Sequence, residues 1–237
     1  TMTDHELALC YAPVVHFDRN ETIPLRAVGY TIARETMRSL SFPKRDLLVP
    51  QGAACVIEYA YYWDYDIGHG YDLEHIWVTV GKNGQVMAAE GSFHGQYLNL
   101  YIPALSCCKP LLGDHVQADC QPGKHAFLPD GQLFQLIPYW FECCNQYAGG
   151  PILIGNPFSA KFSPAGEDLF SPTAEENAQC IRYLKETLAF EPAMEFTKDA
   201  PDIVAYMPWE EMYEKIPQWI RMECARLKAL YQGEERE

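Results

Sequence analysis

The chain has no run of about 18 consecutive apolar residues, which excludes a transmembrane helix. Positive charge is scarce. Lys and Arg number 18 against 32 Asp and Glu, for a formal net charge of -14, and no basic stripe interrupts the acidic average. Such a surface repels phosphate backbones and anionic head groups, so nucleic acid and membrane surfaces are poor partners. The nine cysteines contain no Cys-x-x-Cys spacing, and four of them form the adjacent pairs Cys107-Cys108 and Cys143-Cys144, which are awkward disulfide partners. Their apolar settings, "PALSCCKP" and "YWFECCNQY", suit reduced thiols acting as small hydrophobes. The first residues, "TMTDHELALCYAPVV", lack the charged start and apolar core of a signal peptide. The expectation is a cytoplasmic protein, with secretion as the alternative if a signal segment has been removed.

What is present is ordinary for a globular protein of 237 residues: 48% hydrophobic, 21% charged, no low-complexity segment and no internal repeat. Fifteen Tyr and five Trp favour strands. From Tyr11 to about Ile154 the sequence reads as short strands separated by Gly, Pro, Asn and Asp. "VIEYAYYWDY" is apolar or aromatic on both faces, as in a strand buried between layers. After Pro157 the pattern turns helical. "SPTAEENAQCIRYLKETLAF" and "MPWEEMYEKIPQWIRMECARLKALYQGEERE" predict helices near 173–189 and 208–231, the second broken or kinked at Pro217. The expected fold is mainly β. It is a single domain over 1–237, with a β-sandwich body at 11–160 and a C-terminal α-helical extension at 161–237.

Between two strand-like runs lies "DYDIGHGYDLEH", residues 64–75, with four carboxylates among its Asp and Glu residues and two imidazoles. More often than not such a turn is simply solvated. Residues two apart on a strand share a face, which puts Asp72 with Glu74 and Asp64 with Asp66. The glycines around His69 let the backbone curl and return the imidazole toward them. Carboxylates with imidazole suit a divalent cation such as Mg, Ca, Mn or Zn. The hairpin "EHIWVTVGKNGQVMAAEGSFHG" adds a clue. A three-residue loop, Lys82-Asn83-Gly84 with Gly84 left-handed, sets Val80 opposite Val86 and Val78 opposite Ala88. It also sets Glu74 opposite Ser92 and Asp72 opposite His94. His5, His16, His75 and His115 have no convergent partners in the sequence and are read as structural. Glu58, inside an apolar strand, needs a partner or exposure.

"GHGYDLEH" at 68–75 resembles the G-H-R-H-D-W-E-H region of the necrosis-inducing (Nep1-like) protein family, with Gly68, His69, Asp72, Glu74 and His75 matching. "YAYYWDYD" resembles that family's aromatic strand ending in aspartate, and "AAEGSFHGQY" its S-x-H-G-x-Y segment. "YAPVVHFDRNETIPLRAVGYT" and "GKHAFLPDG" are more loosely similar to the vacuolar-protein-sorting-62-like proteins. The resemblance implies a central β-sandwich and a divalent cation held by His69, Asp72 and Glu74, joined by Asp64 or Asp66. His94 and His125 are expected to line the same cleft as ligand-binding residues. It covers roughly residues 11–130, and the C-terminal helices lie outside it. Gly70, Tyr71 and Leu73 depart from the motif. The family's cytolysins are secreted and disulfide-bonded, whereas these thiols read as reduced, so plant toxicity is not assumed with the fold.

Three functions fit these residues. The first is a metal-dependent binding protein whose cation anchors a small polar ligand such as a sugar or phosphate head group. The second is a metal-dependent hydrolase with Glu74, His94 or His125 as base. The third is a structural metal that ties loops together. The sequence leaves open whether the protein is an enzyme, and its oligomeric state.

Overall fold

The computed structural model describes residues 2–42, 45–150, 170–200 and 204–234. A short helix, α1 (Asp4–Cys10), starts on a capping box in which Thr3 and Glu6 satisfy each other's backbone N–H groups. Ten strands follow: β1 (Val14–Asp18), β2 (Leu25–Ala33), β3 (Met37–Arg38), β4 (Asp46–Leu47), β5 (Ala53–Trp63), β6 (Asp72–Gly81), β7 (Val86–Phe93), β8 (Gln96–Tyr101), β9 (Gln117–Cys120) and β10 (Phe127–Leu128). After them come α2 (Trp140–Cys144), α3 (Ala174–Tyr183), β11 (Phe196–Asp199), β12 (Ala205–Pro208) and α4 (Trp209–Glu234). The body is mainly β, with helices toward the C-terminus.

Two sheets share one core. The larger has the order β12-β2-β5-β6-β7-β8 and the smaller the order β10-β9-β1-β11. Val15, Phe17, Ala118 and Phe127 of the smaller sheet pack with Tyr61, Ile76, Val78, Ala89 and Leu100 of the larger. The aromatic strand β5 explains its own composition. Tyr61 and Trp63 face Phe127 in the sandwich interior, with ring centroids 5.2 and 6.4 Å away. On the other face Tyr62 meets Trp219 of α4 at 5.2 Å, and Val56 packs with Ala33, Leu47 and Trp77 beneath the β3–β4 ribbon. Both faces are covered, so alternation is lost.

The segment after residue 190 does more than add helices. β11 pairs antiparallel with β1, and β12 pairs parallel with β2, so each sheet takes a strand from it. The expected boundary near residue 160 lies outside the described residues. α3 opens on a capping box at Thr173 and Glu176, and its helical path continues as a π-turn over Leu184–Leu188. α4 is continuous through Pro217, so the helix is not broken there. Burial of Met212, Ile216, Ile220, Cys224 and Leu227 holds it on both sides of that proline, which offsets the loss of one backbone hydrogen bond. No described helix is long and apolar enough to cross a membrane. All nine cysteines are free thiols.

The β6–β7 hairpin has the expected turn and a shifted body. Val80 pairs with Val86, and Gly84 sits at φ +81°, a conformation glycine adopts without strain. A bulge between Thr79 and Val80 then moves every pairing beyond it by one residue. Val78 pairs with Ala89 instead of Ala88, and Ile76 with Gly91. Ser92 therefore meets His75, whose N–H it accepts at 2.6 Å, and the expected Glu74–Ser92 and Asp72–His94 backbone pairings do not form. The Ser92 side chain nonetheless reaches Glu74, to which its hydroxyl donates.

Candidate functional site

One end of the sandwich gathers three connections: the loop 64–71 between β5 and β6, the turn 121–126 between β9 and β10, and the His94-Gly95 turn between β7 and β8. The first two are tied by the backbone, with Ile67 N–H donating to Gly123 O at 2.7 Å. Between them is a cavity of about 300 Å³ lined by Asp66, His69, Tyr71, Asp72, Leu73, Glu74, His94, Gly95 and Lys124, with Ser41, Phe42 and His75 as its far wall. Five of the seven candidate residues from the sequence meet here: Asp66, His69, Asp72, Glu74 and His94.

The other two do not line it. Asp64 accepts from Arg26 Nη1 at 2.7 Å and borders a separate cavity with Tyr65, Tyr183, Glu223 and Arg226. β5 ends at Trp63, so the strand alternation that would group Asp64 with Asp66 has already stopped. His125 is fully buried beneath the cavity. Its ring lies parallel to Trp63 with centroids 4.2 Å apart, and its Nδ1 shares a 2.8 Å hydrogen bond with Asp72 Oδ2. It acts on the cleft through Asp72 and does not line it.

Asp66 is the hub. Its carboxylate is 1% exposed and accepts from Gly68 N at 2.6 Å, from His69 Nδ1 at 3.0 Å and from the Lys124 ammonium. Burial alone would raise its carboxyl, but the Lys124 and His69 charges outweigh burial and hold it below the usual carboxylate range. His69 is disfavoured as a cation by burial, yet the Asp66 charge prevails and raises it. Lys124 behaves alike: burial opposes its charge, and Asp66 and Asp72 more than restore it.

The remaining carboxylates are less well supplied. Burial, reinforced by the Asp66 charge, pushes Asp72 up to about 8. Glu74 is pushed well above its ordinary value by burial and then by Asp72, with only the Ser92 hydroxyl donating to it directly. Burial depresses the imidazoles: His125 falls to about 4, His75 to about 3, and His94 is lowered with the Lys124 charge adding to burial. Three carboxylates thus share one ammonium and one raised imidazole.

Lys124, Ser41 and His75 are the lining residues that sequence reasoning missed. Lys124 belongs to "GKHAFLPDG", which was read as a resemblance to the vacuolar-protein-sorting-62-like proteins with no role for the lysine, and the signal that would have found it is physical: buried carboxylates require a counter-charge. His75 was read as structural. It donates from Nε2 to Ser41 Oγ at 2.9 Å, and Ser41 donates to Glu58 Oε1 at 2.9 Å. These are the residue types of a nucleophilic triad in the wrong order. The carboxylate holds the serine, and His75 Nδ1, where an orienting carboxylate would bind, has no partner. Ser41 and His75 line the wall of the cavity, and Glu58 supports Ser41 from behind it.

The donor types fit a divalent cation, since hard carboxylate oxygens with one imidazole are the usual shell of such ions. As placed, however, no three His, Cys, Asp or Glu side chains among the described residues stand in a coordination arrangement. The Lys124 ammonium stands among the carboxylates.

No family model and no curated protein matches the chain. Solved structures do. NLPPya in complex with glucosamine is 19% identical at a TM-score of 0.35, the likeness covering 51% of this chain and 63% of that one. A structure described as a toxin fold as basis for microbial attack and plant defense is likewise 19% identical at 0.35, covering 51% of this chain and 66% of that one. The likeness is one of fold alone. This chain spans less than two thirds of the length of either.

Proposed function

We propose that the protein binds a divalent cation through Asp66, His69, Asp72 and Glu74, and that the cation anchors a small polar ligand in the adjoining cavity. The observation that carries this reading is the convergence of three buried or half-buried carboxylates on one cavity with a single ammonium among them. Burying carboxylates without compensating charge is costly, and the raised proton affinities of the neighbouring Asp72 and Glu74 are of the kind found at functional sites. A bound divalent ion would neutralise the cluster and offer open positions to hydroxyl or phosphate oxygens.

The chain's own residues then divide the work. Asp66 and His69 hold each other, so both are pre-oriented from the loop. His125 fixes the rotamer of Asp72 from beneath, and Ser92 fixes Glu74. Tyr71 and Phe42 line the cavity and present aromatic surface suited to the face of a sugar ring.

Thermal denaturation after chelation, with Mg, Ca, Mn or Zn then added back singly, tests the reading. A cation at 100 times its dissociation constant stabilises the fold by about 2.7 kcal/mol, or roughly 5–10 °C for a chain of this size. Asp72→Ala and Glu74→Ala should abolish that rise. Titration of the loaded protein with hexoses, hexosamines and phosphate monoesters then identifies the ligand class. A wild-type melt indifferent to chelator and to all four ions overturns the proposal.

A further inference from the structure

We infer that Lys124 is the resident counter-ion of the carboxylate cavity, and that a divalent cation enters only by displacing its ammonium from Asp66. This inference rests on the cation reading above and concerns how that site is controlled.

Three observations converge on it. The first is position. Lys124 Nζ donates to Asp66 Oδ2, the same oxygen that His69 Nδ1 approaches at 3.0 Å, and it lines the cavity alongside Asp72 and Glu74. The second is arrangement. The acidic side chains surround an ammonium and are not drawn together into a shell, which accounts for the absence of a coordination group among the described residues. A lysine and a divalent ion compete for Asp66, because two cations repel each other at one carboxylate whose oxygens already accept from Gly68, His69 and Lys124.

The third is how the turn divides fixed from movable parts. Gly123, at φ +69°, opens the turn, and the N–H groups of Lys124 and His125 both donate to Gln121 O, at 3.2 and 2.7 Å. His125 is then locked by Trp63 and Asp72. The backbone of Lys124 is thereby fixed, while its side chain is a flexible four-carbon stem that is 16% exposed. The ammonium can swing toward solvent with no change in the fold. One cation is exchanged for another, and the cavity is never left with bare carboxylates. The exchange costs the entering ion one charge-assisted hydrogen bond, so the lysine sets the affinity threshold of the site.

Isothermal titration of Mn, Mg and Ca chlorides into the wild type, Lys124→Met and Lys124→Arg tests the inference. Methionine keeps the stem and removes the competitor, so K124M should bind about tenfold tighter or more, the equivalent of one charge-assisted hydrogen bond. Its metal-free melting temperature should fall below wild type and recover on adding cation. Arginine grips a carboxylate through two donors, so K124R should bind more weakly than wild type. It also decides the matter if K124M does not fold. Equal or weaker binding by K124M, or equal or tighter binding by K124R, overturns the inference and leaves the cation reading standing. Binding by K124M alone supports the inference and overturns the cation reading for the wild type. Binding by none of the three overturns both.

Discussion

Glu58 offers a sharp test of how the far wall of the cavity is built. Its carboxylate is 1% exposed between β5 and the β3–β4 ribbon and accepts three hydrogen bonds: Ser39 Oγ at 2.6 Å, Trp77 Nε1 at 2.7 Å and Ser41 Oγ at 2.9 Å. Burial raises its carboxyl despite these donors. Glu58→Leu removes all three acceptors. The Ser41 hydroxyl can turn to His75 Nε2 once the imidazole moves its proton to Nδ1, which has no partner in either tautomer, but the Trp77 indole N–H has no other acceptor, and Ser39 loses its only acceptor. Two orphaned buried donors at about 1–3 kcal/mol each predict a loss of roughly 2–6 kcal/mol. For a domain of this size that lowers the melting temperature by about 4–24 °C. Glu58→Gln behaves differently. Its carbonyl can serve Trp77 and Ser39 while its amide donates to Ser41, so the cost should stay within about 1 kcal/mol. Urea denaturation of the three proteins, with equal slopes confirming comparable transitions, measures both values. Should glutamine cost as much as leucine, the negative charge itself matters, and the hydrogen-bond account is refuted. Should leucine cost nothing, the network contributes nothing.

The metal-free protein should lose stability as pH rises from 6.5 to 8. Asp72, raised to about 8 from an unfolded value near 4, holds its proton more tightly when folded, so its contribution is complete below pH 4 and disappears as pH rises toward 8. His69, also raised, acts in the same direction. Over that window Asp72 alone accounts for about 1–2 kcal/mol, and saturating cation should remove the slope in melting temperature. His125 and His75, lowered to about 4 and 3, stabilise above pH 6.5 and lose that contribution as pH falls through those values, which a chelated sample melted at pH 4 should reveal. Gly91→Ala should destabilise by about 1–3 kcal/mol in denaturant titration, because the new methyl lies 2.8 Å from Leu100 Cδ1 and 2.9 Å from Phe127 Cβ.

Local chemistry was the legible part of this chain. Asn83-Gly84 with flanking valines marked the hairpin turn, and Ser171-Pro172-Thr173 marked a helix start, because both signals lie within four residues of their effect. The Asp/His cluster was visible because most of its members sit in one twelve-residue stretch. What escaped depends on distant partners. The bulge at Thr79 leaves no composition signal and moves His94 off Asp72 in the ladder. Asp64 and Asp66 are equivalent by type and separate only because Arg26 claims one and Lys124 the other, partners 38 and 58 residues away. β11 and β12 are short strands within helix-rich surroundings, and tertiary pairing, not propensity, makes them strands.

That pairing sets a schedule for synthesis. β1 and β2 leave a ribosome well before β11 and β12, which close their flanks. At about 5–20 residues per second the wait is roughly 10–40 s. Throughout it the nascent chain carries unsatisfied strand flanks that another chain can join. A stall before Asp199 therefore does more than shorten the product: it holds the protein in its most adhesive state. Translation speed between β2 and β12, and chaperone occupancy during it, thus bear on yield as directly as the stability of the finished fold.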